Sequence, residues 1–388
     1  MITAMDSLSL YLHIPFCSHR CSYCDFNTYT SLGELKDAYA AALCAEIRQV
    51  AGAIRRPVHT IFFGGGTPSL MSVTAMSAIL DTIRSCFDLS PQAEITIEAN
   101  PGTVDRAYLH GVRQAGVNRI SYGVQSANRH ELALLEREHT FEGVIEAVRL
   151  SREAGFDNLN LDLIYGLPGQ TLADWQNSVQ AILDLATEHI SLYCLTIEPG
   201  TPMHRWLHNG QIEEPDPDAA ADQYELASDL MAQQGYTQYE ISNWARPGRE
   251  CEHNLTYWRN NEYLGLGAGA HGHAIGYRYH VVKQPRVYIR RLHEMPEQRY
   301  PWSSAVAGIT PLSRADQMGE TMITQLRLLN EGLDAAAFTA RFGQTPQEAY
   351  PGVLAPLISN GLLHLNDARL YLTERGRFLS NQVFYHFV

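Results

Sequence analysis

The stretch His13-Ile-Pro-Phe-Cys17-Ser-His-Arg-Cys21-Ser-Tyr-Cys24 places three thiols within eight residues, directly after an apolar run at Leu8–Ile14. Soft thiolates at this spacing can wrap one metal centre. Three cysteines leave one iron of a cubane cluster without a protein ligand, and an open iron is where chemistry can occur. The alternative is a structural zinc site, but tetrahedral zinc takes a fourth ligand, for which the loop offers only His19. The spacing therefore favours a [4Fe–4S] cluster on the three cysteines.

Outward from this loop, strand-like runs alternate with helical patterns over the first two-thirds of the chain. Six strand–helix units in strict alternation predict an α/β fold with a parallel sheet and crossover helices. Polar and glycine-rich segments recur where the strands end, which favours a partial or near-closed (β/α)6 barrel over an open sheet. The predicted strands are Leu8–Ile14, Val58–Phe63, Glu94–Glu98, Arg119–Val124, Asn158–Tyr165 and His189–Leu195. The predicted helices are Glu34–Val50, Val73–Cys86, Asp105–Ala115, Phe141–Ala154, Leu172–Ala186 and Ala219–Gln234.

The alternation stops near residue 235, and the pattern predicts three parts: a core barrel over 1–240, an extension over 241–300 and a mostly helical domain over 301–388. Helices are predicted at Arg314–Leu329 and Leu333–Phe342, and Leu362–Arg375 alternates like a short hairpin. Helices with a small hairpin suggest a winged-helix-like appendage, although such a fold need not touch DNA.

Composition narrows the possible functions. The formal net charge of −13 disfavours general nucleic-acid binding, because such a surface repels phosphate backbones. Seven cysteines, an odd number, argue for reduced thiols or metal ligation rather than a disulfide framework. No apolar run approaches the length of a membrane span, and the first residues do not resemble a secretory signal. We therefore expect a cytoplasmic protein.

Polar residues at predicted strand ends indicate a ligand site on the same edge as the cysteine loop. The glycine-rich Gly64–Pro68 follows a strand, so its backbone can approach a ligand closely. Glu98 and Gln125 end later strands, and Asp162 lies within an apolar strand, where a carboxylate must be paired or ligand-bound. Arg137 is a candidate partner for a ligand carboxylate. The alternatives are a tight turn, surface salt bridges and strand-end caps.

The pattern C-x₃-C-x₂-C with an aromatic residue before the last cysteine resembles the radical-SAM superfamily. Tyr11–Cys17 resembles its oxygen-independent coproporphyrinogen-oxidase-like branch, and from Leu8 onward the chain is similar to the heme chaperones of that branch. The resemblance implies S-adenosylmethionine (SAM) at the open iron, with the number of SAM molecules, one or two, left open. It places SAM contacts at Tyr11, Tyr23, Gly65, Gly66, Thr67, Glu98, Gln125, Arg137 and Asp162.

Two departures from the oxidases bear on function. The decarboxylating oxidases of the branch carry a cysteine two residues after the third cluster cysteine, where this chain has Phe26, and a longer segment before the cluster loop. The stretch Cys251–Trp258 matches the H-N-x-x-Y-W pattern of the heme chaperones, which makes His253 a candidate axial ligand of heme iron. A hydrogen-bonding role within a turn is the alternative for His253. Cys251, His271 and His273 are less favoured ligands, the two histidines being interpreted as structural.

The resemblance thus implies a protein that binds heme and passes it to heme-requiring proteins, with membrane respiratory enzymes as recipients and an electron donor for the cluster. The cluster and SAM imply the ability to cleave SAM reductively. The alternative function is oxygen-independent oxidation of coproporphyrinogen III, which Phe26 weakens. A heme-degrading methyltransferase is less favoured.

Overall fold

The computed structural model describes residues 7–52, 56–294 and 302–388. At its centre six parallel strands lie side by side in chain order, as the alternation predicts. Their residues are largely buried because helices cover the sheet, which explains why the strands are apolar along most of their length. The strands are β1 (Leu8–Ile14), β2 (Val58–Gly65), β3 (Leu89–Ala99), β4 (Arg119–Gln125), β5 (Leu159–Tyr165) and β6 (His189–Cys194).

Helices connect these strands, and several begin at the N-cap that the sequence supplies. Ser72, Asp105, Thr140 and Thr171 each accept a hydrogen bond from a backbone N–H in the first turn of the following helix. The predicted helix Leu172–Ala186 ends earlier, at Leu183. The helices are α1 (Lys36–Ala51), α2 (Val73–Cys86), α3 (Arg106–Ala115), α4 (Arg129–Leu134), α5 (Phe141–Glu153), α6 (Leu172–Leu183), α7 (Pro202–His208) and α8 (Pro217–Gln233).

The sheet is wider than the alternation predicts, with twelve strands in the order β12-β11-β10-β9-β1-β2-β3-β4-β5-β6-β8-β7. Strand β9 runs parallel to β1, and the remaining added pairs are antiparallel. Over the described ranges, β12 and β7 are free edges of this sheet, so the barrel is partial and hydrogen bonds do not close it. The added elements are β7 (Thr237–Glu240), β8 (Asn243–Ala245), α9 (Glu252–Trp258), β9 (Tyr263–Leu266), β10 (His271–Ala274), β11 (Tyr277–Val281), α10 (Pro285–Glu294) and β12 (Val306–Pro311).

The C-terminal part is mostly helical and packs around its own apolar cluster, which includes Met322, Phe338, Leu357 and Val383. A three-stranded sheet in the order β13-β15-β14 accompanies the helices, so the hairpin prediction is confirmed. Its elements are α11 (Arg314–Gln325), β13 (Leu333–Asp334), α12 (Ala335–Phe342), α13 (Pro346–Ala349), α14 (Leu354–Ser359), β14 (Leu363–Asn366), β15 (Arg369–Leu372), α15 (Glu374–Phe378) and α16 (Ser380–Phe384).

Two predicted helices of this part differ in their bounds. The helix predicted at Leu333–Phe342 begins at Ala335, because Leu333 and Asp334 pair with β15 and the Asp334 side chain caps the helix. The helix predicted at Arg314–Leu329 ends at Gln325. Among the described residues, no helix combines the length and the apolarity needed to cross a membrane.

Candidate functional site

The three cysteines of the predicted cluster lie in the loop that follows β1, at the carboxyl end of the parallel strands. All three side chains are free thiols, and all three line the same cavity. Three thiols in one short loop are the donors that an iron–sulfur cluster takes, each on a different iron atom.

Two side chains from neighbouring loops reach these sulfur atoms, one after β2 and one after α4. The Thr67 hydroxyl donates to Cys17 Sγ at 3.6 Å, and Arg137 Nη1 donates to Cys21 Sγ at 3.4 Å. The contacts to Cys17 oppose the effect of burial, which is larger and raises the pKa of this thiol. The loop therefore holds its sulfur atoms in a partly buried setting that supplies hydrogen-bond donors.

The glycine turn at the end of β2 packs against the same loop. A Cβ at Gly65 would lie 2.3 Å from the His13 ring, and one at Gly66 would lie 2.7 Å from the Phe16 carbonyl oxygen. These contacts give a reason for the two glycines that is independent of any ligand. Each lies so close to residues at or just after the end of β1 that a side chain would not fit. The turn still presents its edge to the cavity, and Gly65 N–H donates to Glu98 Oε2 at 3.0 Å.

A cavity of about 560 Å³ opens beside the cysteine loop, and every residue that the sequence predicts as a site residue lines it. This size lies within the range of small-molecule sites. Strands β1 to β5, the cysteine loop and helix α9 all contribute. The thirteen predicted residues are Tyr11, Cys17, Cys21, Tyr23, Cys24, Gly65, Gly66, Thr67, Glu98, Gln125, Arg137, Asp162 and His253.

Two buried carboxyl groups face this cavity. Burial, with a contribution from Asp162, raises the pKa of Glu98 to about 7. Burial also raises the pKa of Asp162, although Ser121 Oγ and Asn160 Nδ2 donate to it at 3.2 and 2.7 Å. Glu98 can therefore change protonation state near neutral pH when a charged ligand arrives, a property common at functional sites.

Two polar side chains in the cavity wall retain unpartnered atoms. Arg137 Nη2 donates to Asn100 Oδ1 at 2.5 Å and to the Gly123 carbonyl at 2.7 Å, but its buried Nε has no partner. The buried Oε1 of Gln125 is also unpartnered, and Gln125 has a φ of 70°, a conformation that non-glycine residues rarely adopt. Because buried polar atoms are normally hydrogen-bonded, these atoms indicate a place for a polar ligand.

His253, the predicted heme ligand, lies on α9 beside the cavity. Its side chain is fully buried, with Nδ1 2.8 Å from Thr60 Oγ1 and Nε2 2.8 Å from the Tyr257 hydroxyl. The Thr60 hydroxyl donates to Ser9, so Nδ1 must donate and Nε2 must accept. Burial lowers the pKa of His253 to about 3, which keeps the ring neutral. In this arrangement both ring nitrogens are engaged.

Comparison with known proteins places this site in a family. The model of the Radical SAM superfamily matches residues 11–182, and that of the HemN C-terminal domain matches residues 312–379. A protein of Mycobacterium tuberculosis (strain CDC 1551 / Oshkosh) named heme chaperone HemW is 39% identical, over 96% of this chain and 93% of the relative. The HemW of Bacillus subtilis (strain 168) is 37% identical, over 97% and 98%. The chain belongs to the HemW family.

The HemW of Escherichia coli (strain K12) is 45% identical over 69% of this chain and 70% of the relative. Among solved structures, coproporphyrinogen III oxidase (HemN) from Escherichia coli, described as a radical SAM enzyme, is similar with a TM-score of 0.84. It is 26% identical, and the match covers 98% of this chain and 89% of that chain. The HemW family and this oxidase therefore share one architecture from the cysteine loop to the C-terminal domain.

Radical SAM proteins use a [4Fe–4S] cluster and SAM, and the residues of this HemW-family chain fit both groups. The donor set offers three free thiols in one loop beside the cavity. The cavity next to it offers a buried guanidinium and a carboxamide with unpartnered atoms, together with two carboxyl groups. A sulfonium amino acid with a nucleoside needs partners of these types.

Sequence reasoning about the HemW-family site missed Arg119, which lines the same cavity from β4. Its side chain is 1% exposed, and its Nε has no partner in the described structure. Burial acts to lower the pKa of Arg119, but nearby groups that include the Glu94 and Asp162 carboxyl groups raise it overall. Arg119 could have been found from the sequence. It is a charged residue at the start of an apolar strand, and such a residue must be paired or ligand-bound, as was argued for Asp162.

The two other candidate histidines, His271 and His273, differ in burial and in whether they border a cavity. His273 is 2% exposed and lies outside the walls of both cavities, so its environment fits the structural role expected of it. His271, at the start of β10, is exposed and borders a second cavity.

Proposed function

We propose that this chain is a heme chaperone that binds heme and passes it to heme-requiring proteins. The observation that carries the proposal is the kinship with relatives named heme chaperone HemW, which extends over nearly the whole chain at 37–39% identity. Identity at this level over both the cluster loop and the C-terminal domain supports a shared activity, beyond a shared fold alone.

We assign the cluster to Cys17, Cys21 and Cys24. SAM is assigned to Tyr11, Tyr23, Gly65, Gly66, Thr67, Glu98, Gln125, Arg137 and Asp162, all of which line one cavity. When bound, the reduced cluster and SAM supply reductive cleavage of SAM. Within this site Arg137 is suited to hold a carboxylate through its free Nε, and Glu98 to accept hydrogen bonds from an ammonium or hydroxyl group.

Oxidation of coproporphyrinogen III is the second candidate, because the solved HemN structure is similar over 98% of this chain. Against it stands Phe26, which is 60% exposed and lines the first cavity where the oxidases have a cysteine. A phenyl ring can neither ligate iron nor donate a proton, but it can stack on a flat macrocycle. The residue therefore favours binding of a porphyrin over its decarboxylation.

The proposed partners are heme, an electron donor for the cluster and heme-acceptor proteins. Membrane-bound respiratory enzymes are the acceptors that the family resemblance suggests. Delivery to such enzymes would use contacts between this chain and the acceptor protein.

The test uses the full chain with its cluster reconstituted under anaerobic conditions. Titration with hemin should saturate at one heme per chain, and mixing with an apo b-type cytochrome should move the absorbance spectrum to that of the holo-cytochrome. The same preparation, reduced and supplied with SAM and coproporphyrinogen III, should form no protoporphyrinogen IX. Failure of saturable heme uptake, or turnover of coproporphyrinogen, would contradict the proposal.

A further inference from the structure

A second cavity, of about 340 Å³, lies beside the first and shares Tyr11, Asp25, Phe26 and Tyr257 with it. The predicted site residues leave its other wall unassigned, where Tyr263, His271 and Lys283 lie. A cavity of this volume is too small to enclose a porphyrin, so a macrocycle placed here would remain partly exposed. Partial exposure suits a ligand that must be passed on.

His271 has the properties of an available iron ligand. It is exposed, and its ring makes no hydrogen bond within the described structure. Partial burial, followed by the positive charges of His280 and Lys283, lowers the pKa of His271. The neutral imidazole, which is the form that ligates iron, therefore predominates at pH 7.

His253 is less available. Ligation through its Nε2 would require the Tyr257 hydroxyl bond to break, and the ring is fully buried. Breaking this hydrogen bond would leave the Tyr257 hydroxyl without its partner, which disfavours ligation through His253. The structure thus gives His253 the role of positioning Tyr257, because the two rings lie edge-on to each other. Tyr257 in turn lines both cavities.

Apart from Asp25 at the boundary with the first cavity, the remaining walls of the second cavity suit a flat, amphipathic anion. Phe26 is 60% exposed, and Tyr257 meets Tyr263 edge-on with ring centroids 4.6 Å apart, so the cavity has an aromatic lining. Lys283, one of only two lysines in the chain, is exposed and forms no ion pair among the described residues. An unpaired ammonium at the rim is placed to attract carboxylates.

We infer that heme docks in this second cavity, with His271 as an axial ligand of its iron, the aromatic lining against its macrocycle and Lys283 near its propionate carboxylates. The inference rests on the proposed heme chaperone function and names the residues that hold the cargo.

The test is hemin titration of the cluster-loaded full chain, followed by absorbance spectroscopy. His271→Ala should weaken hemin binding at least about tenfold, because an iron ligand is lost, and should change the spectrum of the residual complex. Added imidazole should restore the wild-type spectrum, which a merely structural role would not allow. His280→Ala is the matched control, because His280 is also exposed, with its ring 5.7 Å from that of His271, but does not line the cavity. It should bind hemin as the wild type does.

Three results would overturn the inference. If His271→Ala keeps the wild-type spectrum and affinity, the ligand lies elsewhere while the chaperone proposal stands. If His253→Asn loses the wild-type spectrum and His271→Ala does not, the ligand lies on α9. If the wild type itself takes up no heme, the chaperone function and the docking site fail together. Lys283→Met should lower affinity without changing the spectrum, and this would support the placement of the propionates.

Discussion

Glu98 shows how one buried carboxyl group can link pH to ligand binding. It lies at the end of β3, accepts a hydrogen bond from Gly65 N–H and has no strong cationic partner, so burial dominates and raises its pKa to about 7. An acid with this pKa is mostly protonated at pH 6 and mostly ionised at pH 8. The ionised form carries the negative charge that attracts an ammonium group and accepts charge-assisted hydrogen bonds, whereas the protonated form turns one oxygen into a donor.

We therefore expect the affinity of the cluster-loaded protein for SAM to rise about tenfold between pH 6 and pH 8, in proportion to the ionised fraction of Glu98. Glu98→Gln should flatten this dependence, because the amide does not titrate. Isothermal titration calorimetry under anaerobic conditions measures both. Glu142→Gln is the control, since Glu142 is exposed on α5, and it should leave the slope unchanged. An unaltered slope in Glu98→Gln would show that another group controls binding.

For individual residues, the sequence was sufficient to predict many that line the cavity. It was less informative about why each residue type is needed there. The cysteines, Glu98 and Asp162 could be predicted because charge or thiols in an apolar context need an explanation. Arg119 was missed although the same logic applies. The cause of the glycines at the end of β2 was not predictable, because the His13 ring that excludes a Cβ at Gly65 is brought there only by strand pairing.

Helix α9 connects the cavities with the C-terminal part. His253 and Tyr257 face the first cavity, while Trp258 packs under the Arg327 guanidinium, 4.2 Å from the ring centroid. Arg327 also pairs with Glu240 on β7 at 3.3 Å. Helix α9 therefore lines the first cavity with His253 and Tyr257, and it contacts the C-terminal part through Trp258. The seven-residue helix escaped prediction because it is too short to show an apolar period.

The Glu240–Arg327 pair should be a major stabilising contact of this junction. Glu240 is fully buried, so Arg327→Met would leave an uncompensated carboxyl group and lower the free energy of unfolding by about 3–5 kcal/mol at pH 8. Burial already raises the pKa of Glu240, so the loss should shrink at pH 5, where the carboxyl group takes up a proton. Urea unfolding followed by circular dichroism at the two pH values measures the difference.

The junction offers a matched comparison for that measurement. Arg259 pairs with Glu331 at 2.6 Å, but both side chains are partly exposed, so Arg259→Met should cost about 1 kcal/mol or less. The double variant Glu240→Gln with Arg327→Met should recover part of the lost stability. Equal losses in the two single variants, or no recovery in the double variant, would mean that burial of Glu240 does not govern this contact.

Across the whole molecule, the sequence predicted the parallel half of the sheet and missed its extension. Strands β1 to β6 alternate with helices, so local periodicity was sufficient. Strand β9 joins β1 in parallel from more than 250 positions away, through a glycine-rich segment that is typical of a loop. Its Gly265 is required because a Cβ there would collide with the His271 carbonyl. Such long-range pairing carries no local signal.

The charge of the whole molecule, together with that of its C-terminal part, argues against nucleic-acid binding by the winged-helix-like region. Residues 312–388 contain six arginines, no lysine and seven acidic residues, a formal net charge of −1 within a chain of net charge −13. Two of these arginines, Arg327 and Arg369, are already paired with Glu240 and Asp334. DNA binding depends on neutralising several phosphates with free cationic side chains.

We therefore expect a labelled DNA duplex of about 30 base pairs to show no saturable change in fluorescence anisotropy at salt concentrations of about 50–200 mM. Even at the lower salt concentration, where phosphate contacts are strongest, the excess negative charge should oppose encounter. A basic winged-helix protein serves as the positive control. Saturable binding that weakens steeply with salt would mean that the few unpaired arginines form a local cationic face strong enough to overcome the net charge.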